Sequence, residues 1–139
     1  MVRRLPTYCK RLRIPANTSE ENYVEVQVEV EGDVLKKVIV LIPDGHHALA
    51  HFRLRYGIKN IVPYEEDQWL EGNNEQVVFE PNWELPEHPC LLRLQGYNED
   101  DTYEHSFYVR IETDYEQYVR PYEILRDFVK IFKKLLGIR

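Results

Sequence analysis

The stretch that decides the fold is YVEVQVEV at residues 23–30, in which apolar and polar side chains alternate. Valine occupies positions 24, 26, 28 and 30, while the positions between them carry glutamate or glutamine. Because successive side chains of a β-strand point to opposite faces, this pattern predicts a strand with one buried side and one side in water. Strands of that kind are typical of antiparallel sheets.

Outward from this strand, the chain continues as short strands separated by turns. Glu31-Gly32-Asp33 predicts a turn, and the β-branched run 34–42 predicts a second strand that ends at Pro43. Further strands are predicted at 48–56, 58–62, 76–80, 90–95 and 106–111, with an edge or connecting segment at 82–86 and an acidic hairpin loop at 96–104. Strands at this spacing predict an all-β fold: a single antiparallel β-sandwich or jelly-roll-like domain over residues 20–114.

The two ends of the chain differ from this body in composition. Residues 1–19 contain two prolines, clustered bases and no sustained periodicity, which predicts an extended basic arm. Within the C-terminal segment 115–139, apolar residues recur at steps of three and four and predict an amphipathic α-helix. Pro121 suits the first position of that helix and Gly137 suits its end.

Charge is distributed unevenly along the chain, whose net charge is −6. Residues 1–19 carry five bases and no acid, residues 119–139 carry six bases and two acids, and this leaves −15 for residues 20–118. Opposite potentials on one molecule favour association with neighbouring subunits. The alternative is that both basic ends fold back onto their own acidic body. The same acidic body makes nucleic acid an unlikely partner.

Three of the five histidines, His46, His47 and His51, lie within six positions and raise the question of a metal site. Pro43-Asp44-Gly45 predicts a turn into a strand, in which His47 and His51 would be about 13 Å apart, at ~3.3 Å per residue. In a helix these two would have the i, i+4 spacing of a metalloprotease, but Ala48 stands where its glutamate belongs. We therefore expect no metal, no cofactor and no catalytic residue, with a cupin-like metal-dependent enzyme as an alternative.

Other candidate chemistry is weaker still. The acidic stretch 98–104 lacks the spacing of an EF-hand. Cys9 and Cys90 are too few and too far apart for a disulfide framework or a zinc ligand pair. The longest apolar run is far shorter than the ~20 residues that span a bilayer, so we expect no membrane association. Trp69, Trp83 and ten tyrosines keep open a second alternative, a carbohydrate- or receptor-binding β-sandwich module.

The layout resembles that of small β-sandwich structural proteins of tailed-phage and related virus particles, including head-decoration proteins. The resemblance lies in the basic arm, the runs YVEVQVEVEGDVLKKVIVLIPDG and LRLQGYNEDDTYEHSFYVRI, and the terminal helix. It implies a non-enzymatic protein made in a host cytoplasm and incorporated in a virion, where it forms homo-oligomers or binds a major capsid or tail protein. We expect the arm and helix to make these contacts, through Arg3, Arg4, Lys10, Arg11, Arg13, Phe128, Phe132 and Leu135.

Overall fold

The computed structural model describes residues 5–115, 126 and 128–137, and these residues contain nine strands. The strands are β1 (Thr7–Ile14), β2 (Val24–Val30), β3 (Val34–Ile42), β4 (Ala50–Tyr56), β5 (Lys59–Val62), β6 (Glu75–Phe79), β7 (Trp83–Glu84), β8 (Cys90–Asn98) and β9 (His105–Asp114). A single 3-10 turn, Glu20–Asn22, precedes β2. Arg126 and residues 128–135 are helical.

The strands form two antiparallel sheets that pack face to face. One sheet has the order β1-β9-β3-β6, with the two-residue β7 also pairing to β3, and the other has the order β2-β8-β4-β5. Eight main strands divided in this way between two sheets form a jelly roll. The predicted all-β sandwich is therefore confirmed, and so are the strands expected from alternation.

The core lies between the two sheets and follows the alternation of the sequence. In β2 the valines become progressively buried, from Val24 at the rim to Val28 and Val30 in the interior, while the glutamates between them stay exposed. Phe52 of β4 and Phe107 of β9 are fully buried, and their ring centroids are 5.4 Å apart across the core. Burying each such ring stabilises the fold by about 1.5–3 kcal/mol.

The N-terminal segment is a strand of the sandwich over most of its length, so the predicted boundary at residue 20 is wrong for Thr7–Ile14. All eight residues of β1 pair with β9. Leu12 and Ile14 are fully buried, while Arg11 and Arg13 alternate with them on the outer face. The sequence obscured this strand because β1 is an edge strand, and edge strands carry bases that discourage pairing with other chains.

The acidic segment after β8 is not a hairpin loop, contrary to the sequence prediction. β8 and β9 belong to different sheets, so residues 99–104 cross from one sheet to the other. Asn98, which is fully buried, organises the crossing. Its Nδ2 donates to the carbonyls of Pro15 (3.3 Å) and Tyr103 (2.9 Å), and its Oδ1 accepts from the Asp100 amide at 3.0 Å.

The helical residues near the C-terminus stand apart from this core. The described part of the helix has its apolar side chains in solvent rather than packed on either sheet. Among the described residues, none of the helices has the length and apolarity needed to cross a membrane. The linker predicted from residue 115 falls mostly on residues 116–125, which are outside the described residues, and it stays a prediction.

Candidate functional site

The basic residues proposed for partner binding lie on one strand where they are described. Arg3 and Arg4 are outside the described residues, whereas Lys10, Arg11 and Arg13 are exposed on β1. Arg13 is occupied by its own body, because its Nε donates to Glu104 Oε2 at 2.7 Å. Arg11 donates to Ser106 Oγ at 3.1 Å, and its guanidinium lies 5.7 Å from the ring centre of Tyr108. The bases of β1 therefore contact the chain's own body in part, in agreement with the alternative interpretation of the charge pattern.

The outer face of the β1-β9-β3-β6 sheet has an apolar centre. Leu41 and Tyr108 occupy opposed register positions on β3 and β9, and both are more than two-fifths exposed. Val78 of β6 extends the apolar area at 49% exposure. Arg11, opposite Tyr108, borders this area on the side of β1. The outer face of this sheet is therefore partly apolar and has a basic edge along β1.

The helix presents the other three predicted contact residues to solvent. The side chains of Phe128, Phe132 and Leu135 are 65%, 55% and 80% exposed. At about 100° per residue, positions i, i+4 and i+7 fall within roughly 60° of one another around a helix, so the three share one face. Lys130 and Lys133 fall on the opposite face. The described helix is therefore amphipathic, with its apolar face uncovered.

The histidine-rich segment does not gather around a common point. His46 is buried at the end of the sandwich core, where its ring packs 4.9 Å from Phe107 and 4.6 Å from His105. His47 is exposed in the turn with φ 45°. His51 lies on the outer side of β4, which begins at Ala50 rather than at residue 48. Within the described residues, no set of three histidine, cysteine or acidic side chains is placed to hold a metal ion.

The surroundings of His46 disfavour its protonated form. Its Nε2 lies 3.0 Å from the carbonyl oxygen of Ser106, and its Nδ1 is buried without a hydrogen-bond partner. Burial, followed by the charge of His105, lowers the pKa of His46 below its usual value. This arrangement suits a core histidine that donates one hydrogen bond.

His51 joins two acidic segments over the outer face of the β2-β8-β4-β5 sheet. Its Nδ1 lies 3.0 Å from Glu71 Oε2. Its buried Nε2 lies 2.7 Å from Glu99 Oε1, although this contact lacks the geometry of a hydrogen bond. The ring stacks on Tyr97, with centroids 4.2 Å apart and planes at 10°. Burial first, and then the nearby carboxylates of Glu20, Glu99 and Glu71, raise the pKa of Tyr97 to about 12.

Trp69 packs within the same outer-face cluster and is not an open platform. Its ring meets Tyr97 edge to face at 4.8 Å, and the guanidinium of Arg53 lies 3.9 Å from its centre. Its indole nitrogen donates to Glu20 Oε1 at 3.2 Å. Because Arg53 covers a face of the ring, Trp69 cannot offer that face to a sugar.

The acidic crossing at residues 99–104 is organised by internal hydrogen bonds. Asp100 Oδ1 accepts from the amides of Thr102 (2.9 Å) and Tyr103 (3.2 Å), and Oδ2 lies 2.8 Å from His105 Nε2. The amide of Thr102, followed by the side chain of His105, lowers the pKa of Asp100. Both oxygens of this carboxylate are therefore used in shaping the turn.

A cleft opens where the two sheets diverge, at the side formed by β5 and by β6 and β7. It measures about 220 Å³ and is lined by Lys59, Asn60, Ile61, Tyr64, Phe79, Glu80, Pro81 and Trp83. Sequence reasoning singled out Trp83 but missed the others, because residues 59–64 and 79–83 meet only through the pairing of distant strands. The only local signal was the aromatic content of the two segments.

Comparisons with known proteins add the following. No family model matches the chain, and no curated protein sequence matches it. Among solved structures, a chain of tomato aspermy virus is 13% identical, with a TM-score of 0.45 over 76% of each chain. The Yersinia pseudotuberculosis-derived mitogen is 8% identical, with a TM-score of 0.43 over 78% of this chain and 86% of the other. A pre-peptidase C-terminal domain of collagenase from Bacillus anthracis is 12% identical, with a TM-score of 0.38 over 76% of this chain and 86% of the other. Structural similarities as low as these carry no conclusion about function.

Proposed function

We propose that this chain is a non-enzymatic structural protein of a virus particle, a capsid-associated or decoration subunit that binds neighbouring subunits. The observation that carries the proposal is the uncovered apolar face of the C-terminal helix. Monomeric proteins rarely leave contiguous large apolar side chains in water, and such patches mark interaction sites. The partners are further copies of the chain or a major capsid or tail protein.

The helix has the composition of a contact element. Phe128 and Phe132 are rotamer-poor rings one turn apart, and aromatic side chains of this kind supply the central anchors of protein interfaces. Leu135 extends the same face by almost another turn. On the opposite face, Lys130 and Lys133 are suited to the acidic surface that residues 20–118 give to a neighbouring copy.

The body supports the same role. A jelly roll completes its own core, so it can act as a rigid unit while its edges and attached segments make contacts. Among the described strands none pairs with the outer edge of β1, and its exposed bases, Lys10 and Arg11, leave it polar rather than prone to strand addition. Contacts along this edge would therefore be made by side chains.

The test compares two variants of the full chain. Phe128→Ser/Phe132→Ser removes the proposed anchors, and Ile58→Ser removes a side chain that is 86% exposed on the β4–β5 hairpin. Sedimentation velocity over a range of concentrations and co-sedimentation with particles measure association. We expect the helix variant to weaken association about 30-fold or more, the effect of losing one interface anchor, and Ile58→Ser to leave it unchanged. Circular dichroism and urea unfolding should be the same for both.

Two results would contradict the proposal. One is equal association of the helix variant and the wild-type chain. The other is that the helix substitutions abolish binding to anionic lipid vesicles and leave association with protein unchanged. That result would assign the helix to a membrane surface, which also selects cationic amphipathic helices.

A further inference from the structure

The outer face of the β1-β9-β3-β6 sheet contains a groove that combines apolar side chains with bases. The groove measures about 360 Å³. Positions two apart on a strand share a face, so two neighbouring rows of paired residues place their side chains together on this outer side. One row consists of Arg11, Tyr108, Leu41 and Gln76, and the next consists of Cys9, Arg110, Ile39 and Val78.

The groove carries positive charge on a molecule whose body is acidic. Its described lining includes three bases, Lys10, Arg11 and Arg110, and no acid, whereas residues 20–118 have a net charge of −15. Arg11 and Arg110 occupy diagonal positions on neighbouring strands, with Cα atoms about 7–8 Å apart. Two like charges at that distance repel each other, so an anion bound between them is favoured.

The composition of the groove restricts what can occupy it. Arginine pairs well with carboxylates, and Leu41 and Tyr108 lose exposed apolar area only when an apolar group covers them. A nucleic acid would use the bases but leave these apolar side chains uncovered, and the acidic body would repel it. The cationic C-terminal helix would be repelled by the arginines. The groove therefore fits an apolar side chain that is flanked by carboxylates.

The sandwich itself presents three candidates for such a side chain. Within residues 5–115, the large apolar side chains that are more than two-thirds exposed are Ile58, Tyr64 and Tyr103. Ile58 is followed by a lysine, which has the wrong charge. Tyr103 lies among acids, but Asp100 uses both carboxylate oxygens in the turn and Glu104 pairs with Arg13 at 2.6 Å. Tyr64 is the candidate that remains.

Tyr64 belongs to the sequence YEED at residues 64–67, which we call the acidic tip. Its ring is 82% exposed, and the three acids that follow it are exposed as well. Glu66 Oε1 accepts from the amide of Asn60 at 3.2 Å, which attaches the tip to β5. The tip therefore offers one aromatic ring and adjacent carboxylates from a fixed position on the sandwich.

We propose that the acidic tip of one copy binds the groove of a second copy. Tyr64 packs against Leu41 and Tyr108, and the carboxylates of the tip pair with Arg11 and Arg110. Because the contact joins two different surfaces of identical chains, it can repeat from copy to copy and build a ring or an array. This inference rests on the proposed function, for which it names two surfaces that do not include the helix.

The test uses two charge-reversed variants of the full chain. Arg11→Glu/Arg110→Glu reverses the groove, and Glu65→Lys/Glu66→Lys reverses the tip. In either variant alone, the tip and the groove have the same charge, so self-association in sedimentation velocity should be at least about tenfold weaker than for the wild-type chain. An equal mixture of the two variants should associate, because each tip then meets a groove of opposite charge. The helix is intact in all these chains, so the comparison is independent of the test of the helix.

A pair of tyrosine variants tests the apolar part of the contact. Tyr64→Ser should weaken self-association about 30-fold, the effect of losing one interface anchor. Tyr103→Ser is the matched control, because it removes a tyrosine that is 68% exposed in the other acidic segment, and it should change nothing. Circular dichroism establishes that each variant is folded.

Three results would overturn the proposal. The first is a mixture of the charge-reversed variants that associates no better than each variant alone. The second is a Tyr64→Ser chain that associates as the wild-type chain does. The third is a wild-type chain that stays monomeric up to about 1 mM, a concentration that reveals even a weak contact. That third result would leave the particle role to the co-sedimentation test. Binding of a single-stranded oligonucleotide that is lost in Arg11→Glu/Arg110→Glu, without association in the mixture, would assign the groove to a polyanion instead.

Discussion

Gly96 lies in the middle of β8, where the fold leaves no room for a side chain. A Cβ atom added there would stand 2.5 Å from Ile14 Cδ1, 2.8 Å from the carbonyl oxygen of His51 and 2.9 Å from Leu12 Cδ2. All three distances are shorter than real Cβ contacts. Two of the obstructing atoms belong to β1, so a substitution at Gly96 tests whether the N-terminal strand packs over β8.

We expect Gly96→Ala to destabilise the fold by about 1–3 kcal/mol, the usual cost of overpacking a core. Ile14→Val removes the one methyl group that lies nearest and should by itself cost about 0.5–1.5 kcal/mol. In the double variant the valine removes the closest contact of the new methyl group, although the His51 carbonyl and Leu12 Cδ2 still obstruct it. The double variant should therefore be more stable than the sum of the single effects predicts, by about 1 kcal/mol.

Urea unfolding compares the wild-type chain, the two single variants and the double variant. A shifted midpoint with an unchanged dependence on urea concentration reports a change in stability alone. Ile111→Val provides a matched control, since it deletes the same methyl group from an equally buried isoleucine on β9. It should give no such coupling with Gly96→Ala. Simple additivity for both isoleucines would refute the packing of β1 over β8 and return the N-terminal segment to an arm outside the sandwich.

Three further predictions concern single side chains. Because burial lowers the pKa of His46 below 6.5, the unfolded chain binds a proton that the folded chain does not, so stability should fall as the pH drops from about 7 to about 5. In urea unfolding, His46→Gln should flatten the dependence of the free energy of unfolding on pH, and His47→Gln should not. An equal pH dependence in the two variants would contradict the lowered pKa of His46. Cys9 is exposed, whereas burial raises the pKa of Cys90, so an aromatic disulfide reagent should modify one thiol of the native chain, and Cys9→Ser should abolish that reaction. Rapid modification of two thiols would argue against the burial of Cys90. Asn98→Ala should cost about 2–3 kcal/mol in urea unfolding because it leaves the Tyr103 carbonyl and the Asp100 amide without their side-chain partner, and a loss below about 0.5 kcal/mol would show that the crossing does not depend on it.

The sequence predicted the elements that depend on local periodicity. Val24 to Val30 alternate strictly, and β2 follows that alternation to within one residue of its predicted start. The role of β1 was missed because only Leu12 and Ile14 of that strand are deeply buried, and two apolar positions do not make a recognisable period. Whether a strand belongs to an edge or to the middle of a sheet depends on partners far away in sequence.

Connections between sheets were equally hard to infer. The acidic residues 99–104 have the composition of a hairpin tip, and nothing local states that the following strand joins the opposite sheet. The cleft was missed for a related reason. Asn60 and Trp83 are on strands of different sheets, and their proximity follows from the whole topology rather than from either segment.

The energetics of the helix indicate what kind of assembly it can serve. Full burial of Phe128, Phe132 and Leu135 from water would contribute about 1.5–3 kcal/mol each to association. Because part of each residue is already buried, the actual gain is smaller. Association costs an estimated 4–15 kcal/mol in lost translational and rotational freedom and ordered side chains. One helix alone therefore barely holds two proteins together. Many copies on a particle raise the effective concentration of each neighbouring site, so contacts too weak for a stable dimer become sufficient in an array. In the virus particle proposed above, the exposed helix face would thus be one of many weak contacts that hold together as an array.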